Sequence, residues 1–170
     1  MTLATHAVIG AAVAQFFPES PILGFFAGFA SHFFADAIPH GHYKLRSKRY
    51  LPASCLEEDM IVRSKEFRFD ITRVGCDFAV GIILSFLIFE SSLSIDSFLL
   101  GGAFWGAIGG VLPDPLQFAY WKIRSEPLVS LQKFHIWMHS KTRFDNNHAI
   151  AIAIESTIVL LIYFLKNITI

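Results

Sequence analysis

The stretch from Gly28 to His42 reads GFASHFFADAIPHGH and sets His32, Asp36 and His40 at four-residue intervals, inside and at the end of an apolar segment. Residues four apart on a helix share a face, so His32 and Asp36 point the same way. Pro39 disfavours helical geometry at Ile38, which ends the helix there and makes His40 the start of the exit. Two imidazoles and a carboxylate converging where a helix stops form half of a site for zinc or another first-row metal. The partial negative charge of a helix C-terminus also favours a cation. The competing explanation is that these are polar residues capping a buried helix.

The elements that must position these residues are unusually apolar. The chain has 170 residues, one domain by length, with 54% apolar and 16% charged residues and 18 Phe; its mean hydropathy is +0.50. Soluble domains carry about 25% charged residues, so the deficit points to a membrane protein or an unusually apolar helical bundle. The formal net charge is zero, and bulk electrostatics therefore predicts no nucleic-acid partner. Cys55 and Cys76 form neither a CxxC pair nor a disulfide framework and read as reduced thiols. The first apolar run lacks a basic leader and is interrupted by His6, so no cleavable signal peptide is expected.

Apolar helices are expected over about 3–17, 22–38, 73–92, 97–112 and 148–165. Thr2 is a candidate N-cap for the first. Pro113-Asp114-Pro115 is expected to end the fourth. The segments 39–72 and 113–146 are polar and basic. They are expected to hold short amphipathic helices around Leu56–Phe67 and from Pro127 to Ser140, with Pro127 suited to a first turn. The fold class is thus all-α: a single membrane-embedded bundle of about five apolar helices plus short interfacial helices. Gly24 and Gly28 form a GxxxG pair, and Gly102, Gly106 and Gly110 line one face, a spacing that lets helix backbones approach closely.

A bilayer span needs about 20 apolar residues, with a range of about 17–25. The third and fifth helices fit, and the others are shorter. If all five span, segments 39–72 and 113–146 fall on one side. Of the 14 Lys and Arg residues, 13 lie in those segments or at Arg73, with only Lys166 at the far end. That is the positive-inside pattern, and it makes both loops cytoplasmic in a multi-pass inner-membrane protein.

This topology brings all seven histidines towards one leaflet. His6 begins the first helix on that side. Asp77 lies near the start of the third, and Asp114 leaves the fourth. His135 and His139 form an HxxxH pair. Ionisable residues within apolar spans are costly and usually functional. His6, His32, Asp36, His40 and Asp114 are the metal-ligand candidates. His42 reads equally as solvated or as a ligand, His148 as a helix-start residue or a ligand, and Asp145 as surface. Asp77 has a competing reading as a partner of Arg73. The cluster is rich enough for two metals, and paired metals suit phosphoester hydrolysis by an activated water.

TLATHAVIGAA at the start, GFASHFFADAIPHGHY and the later GGVLPDP together resemble a prokaryotic family of inner-membrane-associated metal-dependent hydrolases. That family is in turn distantly similar to zinc-dependent phospholipase C, an all-helical fold with a His and Asp metal cluster. The HxxxD element of that fold is matched by His32 and Asp36. Members often continue LPD with a further Asp-His pair, where this chain reads LPDPLQ. The resemblance implies one or two divalent ions, most simply zinc, and hydrolysis of a phosphoester or ester in a lipid or membrane-associated substrate at the cytoplasmic face. Asp77, His135 and His139 are then the candidate catalytic residues, as general base. A non-enzymatic scaffold or regulator with a structural metal is the alternative class. A metal-ion carrier comes third, because the ligands sit near one face and no repeated halves are evident.

Overall fold

A computed structural model describes residues 1–49 and 58–168 of the chain. It is mostly helical, in agreement with the all-α expectation. The elements are α1 (Leu3–Ala14), α2 (Pro21–Asp36), β1 (Lys48–Arg49), β2 (Asp59–Met60), α3 (Lys65–Phe89), α4 (Ile95–Leu100), α5 (Gly102–Val111), α6 (Pro113–Ile123), α7 (Leu128–Met138) and α8 (His148–Ile168). The strands form a two-residue antiparallel ladder with Lys48 opposite Met60.

Local chemistry sets the boundaries. Thr2 caps α1 by accepting from the Thr5 N–H, and Ser20 caps α2 by accepting from Leu23, with Pro21 in the first turn. α2 ends at Asp36, three residues before Pro39. α3 starts earlier than the apolar pattern suggests, because Ser64 accepts from the Phe67 N–H and provides the cap. Of the amphipathic helix expected around Leu56–Phe67, only Lys65–Phe67 is helical, as the start of α3; Asp59 and Met60 are paired in β2 instead. Leu56 and Cys55 lie outside the described residues. The expected helix over 97–112 is broken by an extended Gly101 into α4 and α5. Pro113-Asp114-Pro115 does not close a helix into a loop. It opens α6, where the missing proline N–H costs nothing in a first turn.

α1, α2 and α5 pack together at the centre, with α3 against α1 and α5, α8 against α1, and α6 paired with α7. The glycines make this possible. A Cβ added at Gly106 would stand 2.5 Å from the Gly10 carbonyl oxygen, and one at Gly110 would stand 2.5 Å from that of His6. Neither helix can withdraw without opening the core, so only glycine fits. Leu3, Ala7, Ala11, Phe98, Ala107 and Val111 fill the space between. A smaller cluster of Met60, Tyr120 and Trp121 joins β2 to α6.

Two helices, α3 and α8, are long and apolar enough to cross a membrane. Val80, Ile83 and Leu87 on α3, and Ile152, Leu160 and Phe164 on α8, are exposed. α1, α2 and α5, with 12, 16 and 10 residues, fall short of that length.

Candidate metal centre

The centre is assembled at one end of the α1–α2–α5 core. α1 contributes His6 and α2 contributes His32 and Asp36. The segment leaving α2 supplies His40 and His42, the first turn of α6 Asp114, and α7 with its C-cap His135 and His139. The connection to α8 is stitched across it. The Ser140 N–H donates to the Asp36 carbonyl at 2.8 Å, and the Phe144 N–H to that of His40 at 3.1 Å. His40 and Arg143 form an isolated parallel bridge.

Asp36 is the hub, and it is 2% exposed. Its Oδ1 lies 3.1 Å from His6 Nε2 and 3.4 Å from His40 Nε2. Its Oδ2 lies 2.8 Å from His135 Nε2, 3.2 Å from His32 Nε2 and 3.7 Å from His139 Nε2. Asp114 Oδ1 stands 3.9 Å from His32 Nε2, and His42 Nε2 is 3.0 Å from His139 Nε2.

Tautomers decide what these contacts mean. The Nδ1 of His32 lies 2.8 Å from the Gly110 carbonyl, that of His40 2.6 Å from the Ile38 carbonyl, and that of His139 3.2 Å from the Ser140 carbonyl. His42 Nδ1 lies 2.7 Å from Asp145 Oδ1. A carbonyl or carboxylate oxygen only accepts, so each Nδ1 must carry the proton. In the neutral ring, Nε2 then carries a lone pair; those of His40 and His139 face Asp36, and that of His42 faces His139 Nε2. Lone pairs directed at a carboxylate and at each other repel unless a cation stands among them. His6 Nε2, His40 Nε2 and Asp36 Oδ1 are all buried without a hydrogen-bond partner. An imidazole that ligates metal through one nitrogen while donating its other N–H to an oxygen is the usual arrangement.

Protonation favours the same role. Burial holds the His40 imidazole down at about 3 and that of His42 at about 4, and it lowers His139 as well. These rings are neutral near pH 7 and free to bind metal. The ligand atoms fall into overlapping groups: His6–His32–Asp36, His32–Asp114–His135, Asp36–His135–His139 and His40–His42–His139, each set within 4.8 Å. Nitrogen and oxygen donors without thiolate suit zinc and its first-row neighbours. The residues therefore fit a divalent metal held beside Asp36.

The centre is closed on one side and open on the other. His6, His32 and His40 are buried, whereas Asp114 and His42 have side chains 30% and 28% exposed.

Of the residues that the sequence singles out, His6, His32, Asp36, His40, Asp114, His135 and His139 come together here. Asp77 lies in none of the ligand groups; its Oδ2 accepts from the Ala4 N–H at 2.9 Å and from the Tyr43 hydroxyl. His148 is exposed at the start of α8. His42, which sequence reasoning left open, is in the cluster, and Asp145 orients it rather than facing solvent alone. A signal existed for His42. Once Pro39 ends the helix, the chain runs extended, and residues two apart share a side; the His40 and His42 rings have centroids 4.7 Å apart.

Asp145 also accepts from the His42 backbone N–H at 2.9 Å. Its conversion to Asn is expected to weaken zinc binding about 10- to 100-fold, the usual cost of losing such a supporting partner. Competition against a chromophoric chelator reads this directly, and an unchanged affinity would remove Asp145 and His42 from the centre.

Comparison of the chain with protein-family models, with curated proteins and with solved structures finds no match. The chemistry rests on the side chains themselves.

Proposed function

We propose that this chain is a multi-pass inner-membrane protein that acts as a metal-dependent hydrolase. Its centre faces the cytoplasm and holds one or two zinc-type ions. Its substrate is a phosphoester or ester of a lipid or membrane-associated molecule. The observation that carries the proposal is the convergence of imidazole nitrogens from α1, α2 and α7 on one buried carboxylate. His6, His32, Asp36, Asp114 and His135 would hold one ion, and His40, His42 and His139, with Asp36, a second. A bound divalent ion supplies Lewis-acid polarisation and acidifies water.

The protein's own residues do the remaining work. Asp36 keeps fixed negative charge between the two histidine groups. Gly110, Ile38, Ser140 and Asp145 fix the tautomers of the rings, so that no reorganisation is needed when substrate arrives. The partly exposed edge at Asp114 and His42 leaves an approach for substrate. A purely structural zinc site is closed by four protein ligands, and that edge favours the catalytic reading over a scaffold. The membrane assignment is supported by the length and hydropathy of α3 and α8 and by the gathering of Lys and Arg in the segments 39–72 and 113–146.

The test is release of headgroup or phosphate from phospholipid vesicles, and of phenolate from a soluble nitrophenyl phosphodiester, with zinc or manganese added. Wild-type protein in detergent is expected to turn over at least one of these, and Asp36→Ala neither. Equal turnover in both proteins would discard the enzymatic reading.

A further inference from the structure

Four of the imidazoles in the centre are oriented through their own Nδ1–H. His6 is not: both of its ring nitrogens are buried without a hydrogen-bond partner. Its ring stacks on His32 with centroids 4.0 Å apart and its Nε2 faces Asp36 Oδ1 at 3.1 Å, but no acceptor takes its Nδ1. With no Nδ1 partner to orient it, its placement depends on its backbone, and His6 lies in the first turn of α1.

That turn is held in an uncommon way. The first N–H groups of a helix have no partner within the helix and usually find a local cap or water. In α1 they are taken by side chains from three distant parts of the chain. The Thr2 N–H donates to Glu155 Oε2 of α8 at 3.1 Å. The Leu3 N–H donates to Tyr43 Oη at 2.9 Å, and the Ala4 N–H to Asp77 Oδ2 of α3 at 2.9 Å. The Tyr43 hydroxyl in turn donates to the same Asp77 oxygen. Thr5 completes the turn: its N–H reaches Thr2 Oγ1 at 3.4 Å, and its hydroxyl donates to Glu155 Oε2 at 2.9 Å. Two carboxylates at a helix N-terminus also meet its positive end favourably.

We propose that Tyr43, Asp77 and Glu155 are positioning residues that hold the first turn of α1 and thereby set His6 as a metal ligand. The proposal rests on the metal-centre reading above. It gives Asp77 a role that is not proton transfer. Tyr43 follows His42 directly, so the segment that brings His40 and His42 to the centre also fixes the helix carrying His6.

The experiment loads the full chain in detergent with cobalt(II) as the probe and records its visible spectrum and dissociation constant. Thermal stability is measured alongside. Wild type is expected to give a cobalt spectrum. Tyr43→Phe, which removes one hydroxyl, and Glu155→Ala are each expected to weaken binding about tenfold and to alter the spectrum. Glu155→Gln, which keeps an acceptor oxygen, is expected to restore both. If the variants only lose thermal stability while spectrum and affinity stay those of wild type, the residues are merely structural and the proposal is overturned. If wild type takes up no cobalt, the metal centre itself is refuted, and the clamp with it.

Discussion

Asp36→Asn empties the centre. Elemental analysis of the purified variant is expected to fall from one or two ions per chain to below about a tenth of an ion, with helical content retained. The substitution keeps the shape of the side chain and removes its charge. In the native protein both carboxylate oxygens are occupied: Oδ1 faces His6 and His40, and Oδ2 faces His32, His135 and His139. No other acid in the cluster is so buried; Asp114 and Asp145 have side chains 30% and 34% exposed. A dication in that environment loses its water and needs a fixed negative charge in return. An amide provides none, and its NH2 would occupy space that a cation should fill. Because every ligand group lies beside Asp36 or shares a histidine with a group that does, a second ion is lost with the first. A variant that keeps its full metal content would show that the histidines bind without the hub, and the assignment would fall.

The second large effect is on stability. Stripping the metal with a chelator is expected to lower the melting temperature by about 5–11 °C, and added zinc to restore it. The size follows from mass action. At about one hundred times the dissociation constant, a ligand specific to the folded state adds about 2.7 kcal/mol. A chain of this length shifts by about 2–4 °C per kcal/mol. The physical source is the set of opposed donor atoms around Asp36, which a bound ion would separate. The same treatment should leave Asp36→Asn unmoved. A native protein indifferent to both chelator and zinc would refute the centre independently of any activity assay.

Much of the centre is legible from local spacing. His32 and Asp36 are four apart, His135 and His139 likewise, and Pro39 releases His40 from the helix. In each case one turn of helix or one proline carries the information. The glycine faces are readable for the same reason, since Gly106 and Gly110 recur at helical spacing. What local spacing does not carry is partnership. Glu155 lies 150 residues from Thr5, and an apolar helix with one acid does not say which helix end that acid will meet. Asp77 has the composition of a catalytic carboxylate, yet its Oδ2 is held by a backbone amide and a phenol. Prolines are ambiguous as well. Pro113-Asp114-Pro115 has the composition of an exit, but proline is equally suited to a first turn, and the structure uses it there. The break at Gly101 is hidden within a continuous apolar run, because hydropathy does not report an extended glycine. The membrane topology is less directly written: α3 and α8 have the length to cross, and the shorter helices do not announce where they lie.

Asp77 and Glu155 sit on the two bilayer-length helices, one on each, and both grip the same turn of α1. If those helices lie in lipid, their separation would respond to the lateral pressure and thickness of the surrounding bilayer. Any change in that separation would pull on the Ala4 and Thr2 amides, two and four residues from an imidazole of the centre. In that case the geometry of the centre would be mechanically coupled to the state of the membrane, and protein loaded with zinc in thin and thick bilayers should differ in how tightly it retains the ion.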